Sequence, residues 1–276
     1  MNFAIIGGDE RMVRLSRLLE ADGHAVRAFA LEKALPCAAS AQEALTGADC
    51  AVLPLPCTRG GMLNAPLSEE SRRVEDVLSH AAPGTIVCAG QAAGIAPLCR
   101  DLGLSLTDYF QREELVVKNA LLTAEGALSL LLRSSRSLAG QKVLLCGFGR
   151  ISRLLAPRLQ ACGAKVSVAA RSPSDLAWAE CMNCRSLDLK KRPDLGGFYY
   201  AVNTIPAPIF GEDALKALAP AALIELASPP YGFDAEAAAR LELTLTVASG
   251  LPGKTAPESA AAAIRDTLYH ILEEST

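Results

Sequence analysis

Two Rossmann-like α/β domains with mainly parallel sheets, joined by long helices around a cleft, are the fold class this sequence predicts. Three observations predict it. Short apolar runs of β type alternate with amphipathic helical runs, which implies parallel strands linked by helical crossovers. The alternation starts afresh after Gly140. A length of 276 residues is comfortable for two cores rather than one.

The first series opens with a strand over 3–6, an amphipathic helix over 10–21 and a second strand over 25–29. A third strand covers 51–53. Ser68 then reads as the N-cap of a helix through Ser79, with Glu69 and Glu70 in the first turn, where the helix dipole favours acids. Strands over 85–88 and 104–106 close the series. A long helix over 116–135 bridges to the second series: a strand at 142–146, a helix near 150–161, and strands at 165–169, 198–202, 222–226 and 243–247. The chain ends in an Ala-rich helix over 257–273. Its apolar stripe, Ala260, Ala263, Ile264, Thr267, Leu268 and Ile271, requires burial. The expected domains are therefore 1–118 with 257–276 for substrate, and 119–256 for a dinucleotide.

Composition excludes several function classes. The net charge is −3 and no Lys/Arg run occurs, so no nucleic-acid partner is expected. The first residues already form a core strand rather than a signal peptide. No apolar stretch reaches the eighteen or so residues that cross a bilayer, and a cytoplasmic enzyme is expected. Nine cysteines are scattered, and the one CxxC, Cys181 to Cys184, lacks a second pair at zinc-site spacing. Free thiols and no metal are expected. His24, His80 and His270 read as surface or cap residues, which leaves no relay of the 2-hydroxy-acid dehydrogenase kind.

The informative motif is Cys146-Gly147-Phe148-Gly149-Arg150-Ile151-Ser152, a strand running into GxGxx(small) and a helix. The first glycine permits the tight turn, the second admits a pyrophosphate, and the helix N-terminus supplies free N–H groups. The third position is Ser152 rather than Gly or Ala. The next strand ends in Ala170-Arg171-Ser172, where an NAD enzyme carries an acid for the ribose 2′-OH. Guanidinium and hydroxyl suit a 2′-phosphate instead, so NADP is the expected cofactor, with NAD as the alternative. Ile6-Gly7-Gly8-Asp9 departs from this pattern and reads as a tight turn without cofactor. Three Gly/Pro-rich loops follow strand ends: Asn203-Thr204-Ile205-Pro206, Ser228-Pro229-Pro230-Tyr231-Gly232, and 249–255 with Lys254. Thr255 and Glu258 read as a capping box, which would place Lys254 beside a helix N-terminus.

These segments carry a resemblance. Ile6-Gly7-Gly8-Asp9 with Arg11, Asn119 with Thr123-Ala124-Glu125-Gly126, Gly147 to Arg150, Asn203 to Pro206, Leu226 to Pro229 and Gly250 to Pro257 occur in the order and spacing of the A subunits of dipicolinate synthases. The chain resembles that family over nearly its whole length. The loop from Ser228 to Gly232 departs from it, lacking the family's Arg and paired glycines. The resemblance implies an NADP-dependent oxidoreductase that converts 4-hydroxy-tetrahydrodipicolinate, through dihydrodipicolinate, to dipicolinate. It further implies the mother cell of a sporulating bacterium and, as partner, a flavoprotein-like B subunit. A homodimer is left open. On this reading Asn203, Ser228 and Lys254 stand on the substrate side of the nicotinamide pocket, and Asn119, Thr123 and Glu125 on the bridging-helix side. Glu125 is either a base or a pairing residue of the hinge. Two alternatives remain: another small-acid NADP dehydrogenase of the shikimate or alanine type, or a cofactor-binding protein without catalysis of its own.

Overall fold

A computed structural model describes residues 1–134 and 137–274. The chain divides into two units, Met1–Asn119 with Gly253–Thr276, and Ala120–Pro252.

The first unit runs β1 (Asn2–Ile6), α1 (Glu10–Ala21), β2 (Ala25–Phe29), α2 (Ala41–Leu45), β3 (Cys50–Val52), β4 (Thr58–Arg59), β5 (Met62–Leu63), α3 (Val74–Leu78), β6 (Ile86–Ala89), α4 (Ala96–Asp101), β7 (Ser105–Asp108) and the start of α5 (Glu113–Leu132). Five parallel strands lie in the order β2-β1-β3-β6-β7, and β4 and β5 form a separate antiparallel pair. That is the flavodoxin-like doubly wound order. Four of the five residues of β1 are buried, as expected of a central parallel strand covered on both faces. Met12, Val13, Leu15 and Leu19 of α1 share a core with Phe3, Ile5 and Tyr109.

The second unit continues with β8 (Lys142–Cys146), α6 (Arg150–Ala161), β9 (Lys165–Ala170), α7 (Pro173–Cys181), β10 (Arg185–Asp188), β11 (Tyr200–Asn203), α8 (Glu212–Leu218), β12 (Ala222–Glu225), α9 (Ala235–Arg240) and β13 (Leu245–Val247). Its six parallel strands are ordered β10-β9-β8-β11-β12-β13. This is the strand order of dinucleotide-binding sheets, and it reverses between β8 and β11. The two short or terminal helices that follow are α10 (Leu251–Thr255) and α11 (Pro257–Glu274). The fold is thus α/β with two Rossmann-like sheets. Helix α11 packs on α1 within the first unit, and its Ala261, Ile264, Leu268 and Ile271 enter the core of that unit.

Several expectations require correction. The helix read from Ser68 to Ser79 shrinks to α3, residues Val74–Leu78, with Arg73 as N-cap. The Ser68 hydroxyl accepts from the N–H of Glu70 instead of capping a helix, and Leu63 N–H donates to Arg72 O, so the chain before α3 runs extended beside β5. The bridging helix is Glu113–Leu132, and its expected last residue, Ser135, falls outside the described residues. That helix is also long and apolar enough, by length and composition, to cross a bilayer, with a mean hydropathy of 1.5 over its apolar window. The exclusion of any such stretch was therefore too strong. Much of that apolarity serves packing: Ala124, Ala127 and Leu131 are fully buried in the core of the second unit.

Candidate functional site

The two units contain the same strand–glycine–helix corner, and the two corners differ in what fills them. In each, the first glycine donates to the end of the neighbouring strand at 2.8 Å: Gly7 to Phe29 O and Gly147 to Ala169 O. Both have positive φ, +65° and +86°, where a side chain is strained.

The corner of the first unit is closed by its own side chains. A Cβ on Gly8 would lie 2.3 Å from Met12 Cγ. Asp9 caps α1, and its carboxylate takes Arg11 Nε and Nη2, both at 2.9 Å. The guanidinium also donates to Leu55 O at 2.6 Å. Burial works against the charged Arg11, but hydrogen bonding and charge from Asp9 outweigh it and hold its pKa above the ordinary value. A Cβ on Gly253 would meet Asp9 Oδ2 at 2.9 Å, so the C-terminal segment packs tightly here too. The helix N-terminus here is thus already occupied by an internal carboxylate, itself paired with Arg11.

The corner of the second unit is open. Helix α6 begins at Gly149 without a side-chain cap, and a Cβ on Gly149 would find nothing within 4 Å. The N-terminus of this twelve-residue helix therefore lacks a side-chain cap at the carboxyl ends of the strands, beside the point where strand order reverses. The other residues brace the turn. A Cβ on Gly147 would collide with Ile205 Cγ1 at 2.7 Å and Thr204 Oγ1 at 2.8 Å. The Thr204 hydroxyl donates to Cys146 O at 2.9 Å and accepts from the Ser152 hydroxyl, 3.1 Å away. Ser152 is fully buried, so the departure from Gly or Ala at this position ties α6 to the end of β11. Arg153 Nε donates to Phe148 O at 2.9 Å and its Nη2 to Asp175 at 3.0 Å, with the guanidinium 5.1 Å from the Trp178 ring.

Of the residues expected to hold the cofactor, Phe148 buries its side chain in the core and offers a ligand only its backbone. Gly149, Arg150 and Pro206 are exposed, Ile151 packs against the core, and Thr204 is half-buried. Arg171 and Ser172 follow directly on β9, both exposed. Arg171 makes no hydrogen bond or ion pair among the described residues, and the Ser172 hydroxyl caps nothing although Ser172 is the N-cap of α7.

Asn203 ends β11, but its side chain is spent inside the protein. It is completely buried, its amide donating to Ile205 O at 3.0 Å and Glu225 Oε1 at 2.7 Å and accepting from Ile205 N at 3.1 Å. Its side chain is consumed within the protein, so it positions a loop rather than touching a ligand. Glu225, which no motif marked, is 1% exposed at the end of β12. It accepts from Asn203, Ala227 N (3.0 Å), Gly232 N (2.9 Å) and Phe233 N (3.1 Å). A Cβ on Gly232 would sit 2.3 Å from Asn203 Nδ2, so only glycine fits. This bracket sets the loop that carries the exposed Ser228. An acid in an otherwise apolar strand, Ala222-Leu-Ile-Glu225, was the available signal.

The remaining candidates scatter. Asn119 and Thr123, four apart, share one face of α5, with Asn119 half-buried and Thr123 buried; Glu125 does not share that face. Glu125 pairs with Arg158 of α6 at 3.5 Å. Lys254 stands inside α10 rather than in a loop before a helix, and on the first-unit side of the division. It is exposed and makes no ion pair among the described residues. Among those residues no group of three or more His, Cys, Asp or Glu could hold a metal.

Comparison with known proteins follows this geometry. Residues 2–110 match the family model of the N-terminal domain of the dipicolinate synthase A subunit. The chain is 28% identical to the A subunit of dipicolinate synthase from Bacillus subtilis (strain 168) over 288 residues, covering 99% of this chain and 96% of that protein. The crystal structure of the dipicolinate synthase A subunit from Bacillus halodurans superposes with a TM-score of 0.86 at 24% identity, covering 98% and 97% of the two chains. A transhydrogenase from Sinorhizobium meliloti shares the fold at a TM-score of 0.71 and 15% identity, covering 99% and 93%.

Proposed function

We propose that this chain is a nicotinamide-dependent oxidoreductase with the activity of the dipicolinate synthase A subunit, whose N-terminal domain it carries over residues 2–110 and which it resembles along 99% of its length. Its substrate would be 4-hydroxy-tetrahydrodipicolinate, dehydrated to dihydrodipicolinate and oxidised to dipicolinate. The observation that carries the reading is the open, uncapped α6 corner set against the closed one of the first unit.

Hydride acceptance, coupled to loss of a ring proton and driven by aromaticity, is the chemistry that a bound oxidised nicotinamide would supply. The chain's own residues do the rest. The uncapped N-terminus of α6 would hold the pyrophosphate, with no side chain on Gly149 to obstruct it. Arg171 and Ser172 take the 2′-phosphate, which makes NADP the preferred cofactor. The Asn203–Glu225 bracket fixes the loops that end β11 and β12. Ser228, exposed on the loop that this bracket sets, offers a hydroxyl to the substrate. We further propose, as partner, the flavoprotein-like B subunit, and the mother cell of a sporulating bacterium as the setting.

Mixing the purified chain with NADP+ and enzymatically generated 4-hydroxy-tetrahydrodipicolinate, and following NADPH absorbance with product identification, tests this. Dipicolinate formed in step with NADPH is the expected result. Tight nucleotide binding without turnover, restored only by the B subunit, would make the chain a cofactor-binding component instead.

A further inference from the structure

We infer that Glu225 is a positioning charge that makes the dinucleotide site favour the oxidised over the reduced nicotinamide, an inference that rests on the cofactor reading above. The register of the sheet supplies the geometry. Ala169, Cys146, Asn203, Glu225 and Val247 are successive cross-strand partners, a row across the carboxyl ends of β9, β8, β11, β12 and β13. The turn at Gly147 follows Cys146 in that row, so the adenosine half belongs over β8 and β9. The nicotinamide half belongs over β11 and β12, where Glu225 lies.

The chemistry of the carboxylate follows from its partners. All four are N–H donors: the Asn203 amide and the backbone of Ala227, Gly232 and Phe233. A protonated Glu225 would need an acceptor that these groups do not offer, so the arrangement matches the charged form. No cation pairs with it among the described residues, and amide dipoles alone hold it. A buried charge stabilised by dipoles and not by a counter-ion keeps a long-range field in a medium of low dielectric. The same charge reaches the end of β8, two strands away: burial first, and then the charge of Glu225, push the Cys146 thiol up.

An oxidised nicotinamide ring is cationic and a reduced one is neutral. A fixed negative charge beneath the site therefore stabilises the oxidised form selectively, whatever the geometry does for both. A purely structural carboxylate would affect the two forms alike. The preference suits a reaction that consumes the oxidised cofactor and must release the reduced one.

The test is the pair of dissociation constants for oxidised and reduced cofactor, measured by titration on the full-length chain with whichever dinucleotide, phosphorylated or not, it binds. The native protein is expected to bind the oxidised form more tightly. Glu225→Gln should erode that ratio on the order of tenfold, and Glu225→Asp, which keeps the charge, should stay within about threefold of it. Equal weakening of both forms by Glu225→Gln would reduce the residue to a structural bracket and overturn the inference. If the Gln variant fails to fold, the midpoint potential of the cofactor bound to native protein decides: below the free value supports the inference, at or above it overturns it. If the native chain binds neither form, the cofactor reading falls and the inference falls with it.

Discussion

Arg171 and Ser172 illustrate how an absence of internal partners points to a ligand. Both follow β9 directly with exposed side chains that make no hydrogen bond among the described residues, as the proposed 2′-phosphate contact requires. Removing a charge-assisted contact of this kind costs about 1.5–3 kcal/mol, so Arg171→Ala should weaken NADPH roughly ten- to a hundredfold and leave NADH nearly unchanged. Parallel titration of both cofactors checks it, and equal native affinities would end the NADP assignment. Gly147 makes the opposite case, since its constraint lies wholly within the protein. Gly147→Ala meets a positive φ and contacts of 2.7 and 2.8 Å with Ile205 and Thr204, and should cost about 2–4 kcal/mol in urea unfolding. Such a loss should appear without any nucleotide present. A Gly149→Ala variant should be nearly neutral for folding and harmful only to binding, because its Cβ enters open space.

At the scale of elements, α11 shows what holds a terminal helix. Its buried stripe does most of the work, and Leu268, fully buried, should cost about 2–5 kcal/mol when cut to Ala. Ion pairs with Arg112 and Lys118 hold its outer edge: Arg112 to Glu274 at 2.6 Å and Lys118 to Asp266 at 3.1 Å. Burial opposes the charged form of Asp266, but Arg265 and Lys118 outweigh it and hold the carboxyl below its ordinary value. A carboxyl depressed in the folded state contributes stability that is whole above its unfolded value, near pH 4, and is lost as the pH falls through the folded value. Acid titration should therefore loosen α11 only below about pH 4, and Asp266→Asn should flatten that limb at a cost under about 1 kcal/mol. Hydrogen exchange along 257–274 reads both. The same helix was legible in the sequence because its 3.6-residue period runs for five turns without interruption. The stretch before α3 was not, because a serine followed by two acids looks alike whether it caps a helix or closes a local turn, and only the pairing with β5 decides. Lys254 was misplaced for a related reason: Gly250 and Gly253 read as loop residues, yet one short helical turn accommodates the second.

For the whole molecule, two cores were legible because the strand–helix alternation begins twice, and the turn between β8 and α6 because its glycines are read against a flanking strand and helix. The Asn203–Glu225 bracket was half legible. Asn203 follows a strand and attracts notice, whereas its partner Glu225 sits 22 residues away, and only the pairing of β11 with β12 brings them side by side. Two cores also permit a test of which unit takes the nucleotide. The single tryptophan, Trp178, lies on α7 in the second unit, half exposed with the Arg153 guanidinium over its ring. Its fluorescence therefore reports unfolding of that unit, while Tyr109 and Tyr269 belong to the first. A ligand that binds only the native state adds RT ln(1 + [L]/Kd), about 2.7 kcal/mol at a hundredfold excess, or roughly 1–2 M in a urea midpoint. NADP+ should move the Trp178 transition by that amount in the native protein and by much less in Arg171→Ala at the same nucleotide concentration. A Trp178 midpoint indifferent to nucleotide, with the protein otherwise folded, would take the cofactor out of the second unit and the proposed chemistry with it.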